Sequence, residues 1–317
     1  IQSIKKRPSL LRIIFVLALV FMVNITLWGV INLSRDSSAW DGVISGVSFT
    51  PYRDEHNPAK HNFPTLQEIE EDVRTVAPYV RSIRSYGATN GLESIPAAAK
   101  KYGLWVTMGS WYGTNAKENL AELNNLVELT NKNRNINRIL VGNEAILRGD
   151  ISVDEMVDMI HWIKRRVKVQ VSTAEPWHVW LKNPRLAAAV DFITIHTLPY
   201  WEGKPANEAV AYALQRYDEV HTAFPSKHIL IGEIGWPSKG QWIYGAEPSQ
   251  VNQARFIRDF LNIATERKLD YIIVEAFDQA WKWEIEGTVG TGWGIWDNHR
   301  QQKFPLFGNV NERRNWP

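Results

Sequence analysis

The chain contains no cysteine. Disulfides, thiolate metal sites and a cysteine nucleophile are therefore excluded, and the redox compartment cannot be read from thiols. Other signatures are missing too. After residue 40 no run of Lys and Arg could displace the counterions of a polyanion, so no nucleic-acid partner is expected. No glycine-rich phosphate fingerprint follows the first strand-like segment, which disfavours an open doubly wound nucleotide-binding sheet. The eight histidines form no i, i+4 pair enclosing a glutamate, and no Gly-x-Ser-x-Gly elbow occurs. Neither a metal nor a cofactor is expected, and His56 and His61 read as solvated loop residues. Low-complexity stretches and interior linkers are absent as well.

What is present falls into two unequal parts. Residues 13–33 run without a charge, about the 20 residues that cross a bilayer as a helix, and read as a transmembrane segment. Lys5, Lys6, Arg7, Arg12 and Arg35 against Asp36 give residues 1–36 a charge of +4, which leaves −2 for the rest of a chain of net +2. Most of those basic residues precede the apolar run. By the positive-inside rule residues 1–12 form a basic cytoplasmic start, 34–40 a short tether, and the remainder lies on the periplasmic or extracellular side. A cleaved signal peptide is the alternative, with Ser37-Ser38-Ala39 as a small-x-small site. The 15 Trp and 10 Tyr suit sugar rings, since flat amphipathic rings stack on pyranose faces.

From 41 to 308, short β-rich apolar runs alternate with amphipathic stretches of helical period, the mark of βα units. Eight strands are expected at 43–49, 80–85, 104–110, 138–143, 167–173, 190–196, 228–233 and 271–277, the number that closes a (β/α)8 TIM barrel. The clearest helices are 66–77, 116–133, 153–166, 207–223 and 248–267, the last with Pro248 in its first turn. Residues 309–317 are left as a C-terminal tail.

Barrel enzymes carry their chemistry where strands end. Two such ends stand out: Ile139-Leu140-Val141-Gly142 runs into Asn143-Glu144, and Ile229-Leu230-Ile231-Gly232 runs into Glu233. Cleaving a glycosidic bond requires one protonated carboxyl to donate to the leaving oxygen and one ionised carboxylate at the anomeric carbon. Glu144 as acid needs a raised pKa, from partial burial or from the charge of Glu233. Glu233 needs hydrogen bonds to stay ionised, with Tyr200 or His196 as donors. Tyr52, Arg84 and Tyr86, after the first and second strands, and His196 and Tyr200, after the sixth, sit where sugar hydroxyls or a carboxylate could be held. Two or three of Trp111, Trp177, Trp201, Trp236, Trp281 and Trp293 are expected as sugar platforms.

VGNE at 141–144 and GEIGWPS at 232–238 resemble family 17 of the glycoside hydrolases, the β-1,3-glucanases and β-1,3-glucanosyltransferases, in a membrane-anchored bacterial form. SIRSYG at 82–87, VSTAEPW at 171–177, EAFDQAWK at 275–282 and EGTVGTGWGIWD at 286–297 extend the resemblance over nearly all of residues 45–297. It implies a retaining enzyme with Glu144 as acid/base, Glu233 as nucleophile and Asn143 bonding the sugar 2-hydroxyl. Glu275, Lys282 and Glu286 match charged cleft positions, and Trp236, Asp278 and Trp281 fall in the matching motifs as substrate-binding candidates. Gln279-Ala280 departs from the Glu-Pro of many eukaryotic relatives, which removes a carboxylate there. The partners implied are a β-1,3-glucan or its oligosaccharides, the membrane, and a fused or associated membrane glycosyltransferase whose nascent glucan the barrel would remodel. Two alternatives stay open: a non-catalytic glucan-binding module, and a glycosidase of the same clan for another β-linked polysaccharide.

Overall fold

The computed structural model describes residues 9–31 and 40–306. Most of the expected basic start and tether, and all of the expected tail, lie outside the described residues. The first helix, α1 (Leu10–Ile31), carries a 20-residue stretch, Leu10–Gly29, long and apolar enough to cross a membrane, and none of that stretch is covered by the protein. It begins ahead of the expected residue 13 because Arg12 does not end a helix: a long basic side chain at a helix end can reach polar surroundings. A membrane anchor and a signal sequence both fit this helix.

Eight parallel strands close into a barrel in chain order: β1 (Val47–Ser48), β2 (Ser82–Arg84), β3 (Trp105–Ser110), β4 (Ile136–Asn143), β5 (Gln170–Pro176), β6 (Ile193–His196), β7 (Ile229–Ile234) and β8 (Asp270–Ile273). All eight expected strands are present. The greatest loss of length is at β1, where only two residues keep the ladder and Ile44 meets Val80 in an isolated bridge.

Five long helices match the periodic stretches: α2 (Leu66–Val76), α4 (Ala116–Lys132), α5 (Val153–Lys164), α8 (Ala206–Ala223) and α9 (Gln250–Arg267). Short α3 (Ile95–Lys101), α6 (Trp177–Lys182), α7 (Pro184–Ala189) and α10 (Trp283–Glu286) were not foreseen, since one or two turns show no period. Thr65 with Glu68 and Ser152 with Glu155 form reciprocal capping boxes at α2 and α5, satisfying first-turn N–H groups. Pro248 lies outside α9, contrary to expectation. Ser249 caps that helix by accepting from Asn252 N–H, a job proline cannot do.

Apolar side chains bury in two places. A small cluster, Leu140, Ala174, Phe192, Leu230 and Ile272, fills the barrel interior, and a large one packs the strands' outer faces on the helices. Beneath the interior cluster an Arg138–Asp270 ion pair spans from β4 to β8, with Arg138 Nε also donating to Thr107 Oγ1 at 2.9 Å.

At the opposite, C-terminal ends the ladders slip. Leu140 pairs with Ser172 but Asn143 with Ala174, so β4 spends three residues where β5 spends two. Likewise Ile231 and Ile234 of β7 pair with Tyr271 and Ile273 of β8, and Ile195 and His196 pair with Ile231 and Glu233. Each is a one-residue bulge, on β4 just ahead of Asn143-Glu144 and on β7 just ahead of Glu233. A bulge reverses the facing of every later residue. With Leu230 pointing inward, strict alternation would turn Glu233 away from the barrel; the slip at Gly232 brings it to the mouth.

Candidate active site

The two bulge glycines serve different ends. Gly142 has φ +77°, the left-handed region that favours glycine, and Glu144 follows at φ +52°. Gly232 leaves room: a Cβ there would meet Thr194 Cγ2 at 2.4 Å and Arg84 Nη1 at 3.3 Å. That space matters because Arg84, buried at the end of β2, threads between the carboxylate-bearing strands. Its Nη1 donates to Gly232 O at 2.8 Å and Glu233 Oε1 at 3.4 Å, and its Nη2 donates to Asn143 Oδ1 at 2.6 Å. Tyr86 lies under the same guanidinium, 4.5 Å from its ring centre, and donates its hydroxyl to Glu233 Oε1 at 2.8 Å.

His196, ending β6, bridges the pair. Its Nδ1 lies 2.6 Å from Glu144 Oε1, and its Nε2 lies 3.3 Å from Arg84 Nη1 and 3.6 Å from Glu233 Oε1. A guanidinium can only donate, so Nε2 is the accepting nitrogen and Nδ1–H donates to Glu144. Glu144, Glu233 and His196 each place one polar atom within 4.8 Å of the others. Such a donor set could suit a cation, but Arg84 already supplies positive charge from within it.

Glu144 does not meet the expectation of a raised pKa. Burial raises it, but the hydrogen bond from His196, followed by the charges of Arg148 and Arg84, outweighs burial and holds the carboxyl below its ordinary value. The donors to Glu233 are Tyr86 and Arg84 rather than Tyr200, whose hydroxyl donates to Gln241 O at 2.7 Å.

A second charged layer lies beside Glu233. Lys282 Nζ donates to the fully buried Glu275 at 2.8 Å. Burial pushes Glu275 up to about 7 against the pull of Lys282, and burial likewise raises Glu286. Asp278 serves as a pin, accepting from Lys303 Nζ at 2.8 Å and Gly294 N–H at 2.9 Å. Gln279 donates to Thr50 O at 2.7 Å and Phe277 O at 3.1 Å and accepts from Trp281 Nε1 at 2.9 Å. A glutamate at 279 could not make the two donations, so the departure from the eukaryotic pattern is matched by its surroundings.

Not every expected residue lines the open mouth. Trp236 is fully buried, its Nε1 donating to Glu247 O at 3.1 Å, and Tyr200 packs edge-on to Trp236 and Trp293. Tyr52 is buried edge-on to Trp281 at 5.9 Å. Trp177 is half-buried, while Trp111 and Trp201 are exposed in loops after β3 and β6. His56 is buried rather than solvated, its Nδ1 accepting from Arg53 N–H at 3.0 Å.

Glu175 lies within the VSTAEPW motif, and the sequence gives it no role of its own. Its carboxylate is buried behind Glu144 and accepts from Ile146 N–H at 2.8 Å and Leu147 N–H at 3.2 Å. Nothing in a strand pattern distinguishes such a residue from one facing a helix cap.

Residues 46–294 match the model of the BtgE/BtgC glycoside hydrolase domain. The chain belongs to this family. Among relatives of this glycoside hydrolase domain, the probable glucan endo-1,3-β-glucosidase btgC of Aspergillus clavatus is 26% identical over 297 residues, covering 83% of this chain. The chain spans 42% of the length of that relative. The glucan 1,3-β-glucosidase of Saccharomyces cerevisiae is 25% identical over 270 residues, covering 76% of this chain and 85% of the relative. In structure, the β-1,3-glucanosyltransferase of Rhizomucor miehei, an active-site mutant holding laminaritriose, superposes with a TM-score of 0.74 at 23% identity, covering 84% of this chain and 97% of that one. An endo-laminarinase from Formosa gives a TM-score of 0.70 at 20% identity, covering 80% and 83%. The resemblance to family 17 and the barrel fold are both borne out.

Proposed function

We propose that this glycoside hydrolase domain cleaves β-1,3-glucan with retention, through a covalent glycosyl-enzyme, and passes the glycosyl unit to water or to a second sugar. The observation that carries the reading is the pair of carboxylates on β4 and β7, with an oxygen of Glu144 within 4.8 Å of an oxygen of Glu233. Retaining glycosidases hold their two carboxyls about 5 to 5.5 Å apart, whereas inverting ones need about 6.5 to 9.5 Å for an intervening water. The substrate class is supported by the names of the relatives in yeast and Aspergillus and by the laminaritriose bound to the Rhizomucor enzyme.

In this reading Glu233, ionised and held by Arg84 and Tyr86, attacks the anomeric carbon while Glu144 protonates the departing oxygen. Glu144 then takes a proton from the incoming hydroxyl, and attack of that oxygen releases Glu233. A sugar ring seated against Glu144 displaces water and favours its protonated form, opposing the pull of His196. Asn143, oriented by Arg84, bonds the 2-hydroxyl. Tyr52, Trp281, Lys282, Glu275, Glu286 and Asp278 shape the cleft next to Glu233. Tyr200 and Trp236 support the mouth from beneath.

We further assign α1 as a membrane anchor with the barrel on the non-cytoplasmic side, beside a membrane glycosyltransferase whose nascent glucan it would remodel. The charge bias around α1 supports the orientation.

Incubating the purified chain with a reduced β-1,3-gluco-oligosaccharide and resolving products by mass tests the function. Products shorter than the substrate, lost in Glu233→Gln, are expected for hydrolysis, and longer ones in addition for transfer. Unchanged substrate with the native chain would favour the binding-module alternative.

A further inference from the structure

The turn carrying the acid/base is gripped from the neighbouring strand. Glu144 sits at φ +52°, a conformation costing an L-residue about 1 to 3 kcal/mol unless its surroundings enforce it. Two consecutive residues of β5 do so. Ala174 O accepts from Glu144 N–H at 2.7 Å, and the carboxylate of Glu175 takes the N–H groups of Ile146 and Leu147, one on each oxygen. The turn closes on itself through Arg148 N–H to Glu144 O and Asp150 N–H to Ala145 O, both at 2.9 Å. Arg148 Nη2 ties it to Tyr112 O at 2.9 Å.

Glu175 is an unusual choice for a buried strand position. Its side chain is inaccessible to water, and the described ion pairs give it no cationic partner. Burial pushes its pKa up to about 7, although the two backbone donors pull it down. An apolar residue would fill the space without that burden. What only a carboxylate supplies is a two-oxygen acceptor for two adjacent N–H groups in a dry site. Glu175 also interacts with the charge of Glu144, which raises its pKa, and the coupling is mutual: an ionised Glu175 favours a proton on Glu144.

We propose that Glu175 is a positioning residue for the acid/base, its carboxylate fixing the 144–148 turn so that Glu144 is aimed at the glycosidic oxygen. The proposal rests on the assignment of Glu144 made above. Glutamine at 175 is isosteric but would turn an NH2 group toward one of the two N–H donors. The carboxyl of Glu144 would then drift.

The test separates acid catalysis from general loss of structure by the leaving group. The full chain in detergent is assayed on a β-1,3-gluco-oligosaccharide, whose departing alkoxide needs a proton, and on a dinitrophenyl β-laminaribioside, whose phenolate departs unaided. Glu175→Gln is expected to lower kcat/KM on the oligosaccharide about 100-fold, the scale of a misplaced catalytic group, and to leave kcat/KM on the aryl glycoside nearly unchanged. With the aryl glycoside, azide should restore kcat in the variant by replacing the base-activated acceptor, giving a glycosyl azide. Glu144→Ala is the reference and should show the same pattern more strongly. An equal fall on both substrates, or no fall on either, overturns the role of Glu175. If Glu144→Ala itself shows no dependence on the leaving group, the acid/base assignment fails instead. Should Glu175→Gln not fold, Glu175→Asp decides: it keeps both oxygens one methylene short, and a selective fall on the oligosaccharide is again expected, while a uniform one overturns the proposal.

Discussion

His196 links the two carboxylates by one ring, accepting from Arg84 on one side and donating to Glu144 on the other. Because its hydrogen bond is the largest of the effects that hold Glu144 below the ordinary carboxylate value, removing it leaves burial unopposed by the strongest of its counterweights. His196→Ala is therefore expected to raise the pKa of Glu144. In the proposed role of acid/base Glu144 must be protonated for the first step, so the alkaline limb of kcat/KM should move to higher pH. A limb that stays in place or moves lower would show that His196 does not set this proton. The position of His196 at the end of an apolar strand was legible in the sequence, but its tautomer and its bridging of Glu144 to Arg84 and Glu233 were not. Those depend on Arg84 arriving from 112 residues away.

At the scale of elements, the helices hold their places through caps and the strand ends through bulges, and the two should respond differently to substitution. Ser152→Ala removes a side-chain cap and a reciprocal bond at α5 and should cost about 1 kcal/mol in denaturant unfolding. Gly232→Ala puts a methyl against Thr194 and the guanidinium of Arg84. It should cost about 1 to 3 kcal/mol as overpacking and should also depress activity strongly, because the displaced groups hold Glu233. Gly232→Ala with full activity would mean that the bulge does not aim Glu233. The Gly-Glu and Gly-Asn-Glu strings were visible as patterns, yet simple alternation predicts the wrong facing for Glu233. Pairing partners on β8 are needed to see the extra residue.

The whole molecule titrates in two directions. Glu175 and Glu275 are pushed up by burial to about 7 from the ordinary value of 4.5, so between those values the folded chain holds protons that the unfolded chain releases. Their contribution is full below about 4.5 and is lost as pH rises through 7. Glu144, Glu68 and Asp270 are depressed, and theirs is lost only as pH falls below the ordinary carboxylate range. Thermal unfolding should therefore give a Tm that declines from pH 5 to pH 7.5, and a rising Tm would contradict the burial argument. The apolar helix allows a separate test at this scale. As an uncleaved anchor it should hold the chain in the membrane fraction through an alkaline carbonate wash, whereas a processed signal sequence would leave the barrel in the supernatant.

By itself the sequence determined the barrel, because eight apolar runs separated by helical periods admit few other closures, and it marked both candidate carboxylates by their place at strand ends. It also determined the apolar helix, whose length and lack of interior charge are local properties. Tertiary structure decided the rest. Burial withdrew Trp236 and Tyr200 from the open surface, an ion pair filled the position of Glu275, and Glu175 became a backbone receptor. Such roles depend on which strands lie side by side, and a period along one strand carries no record of its neighbours.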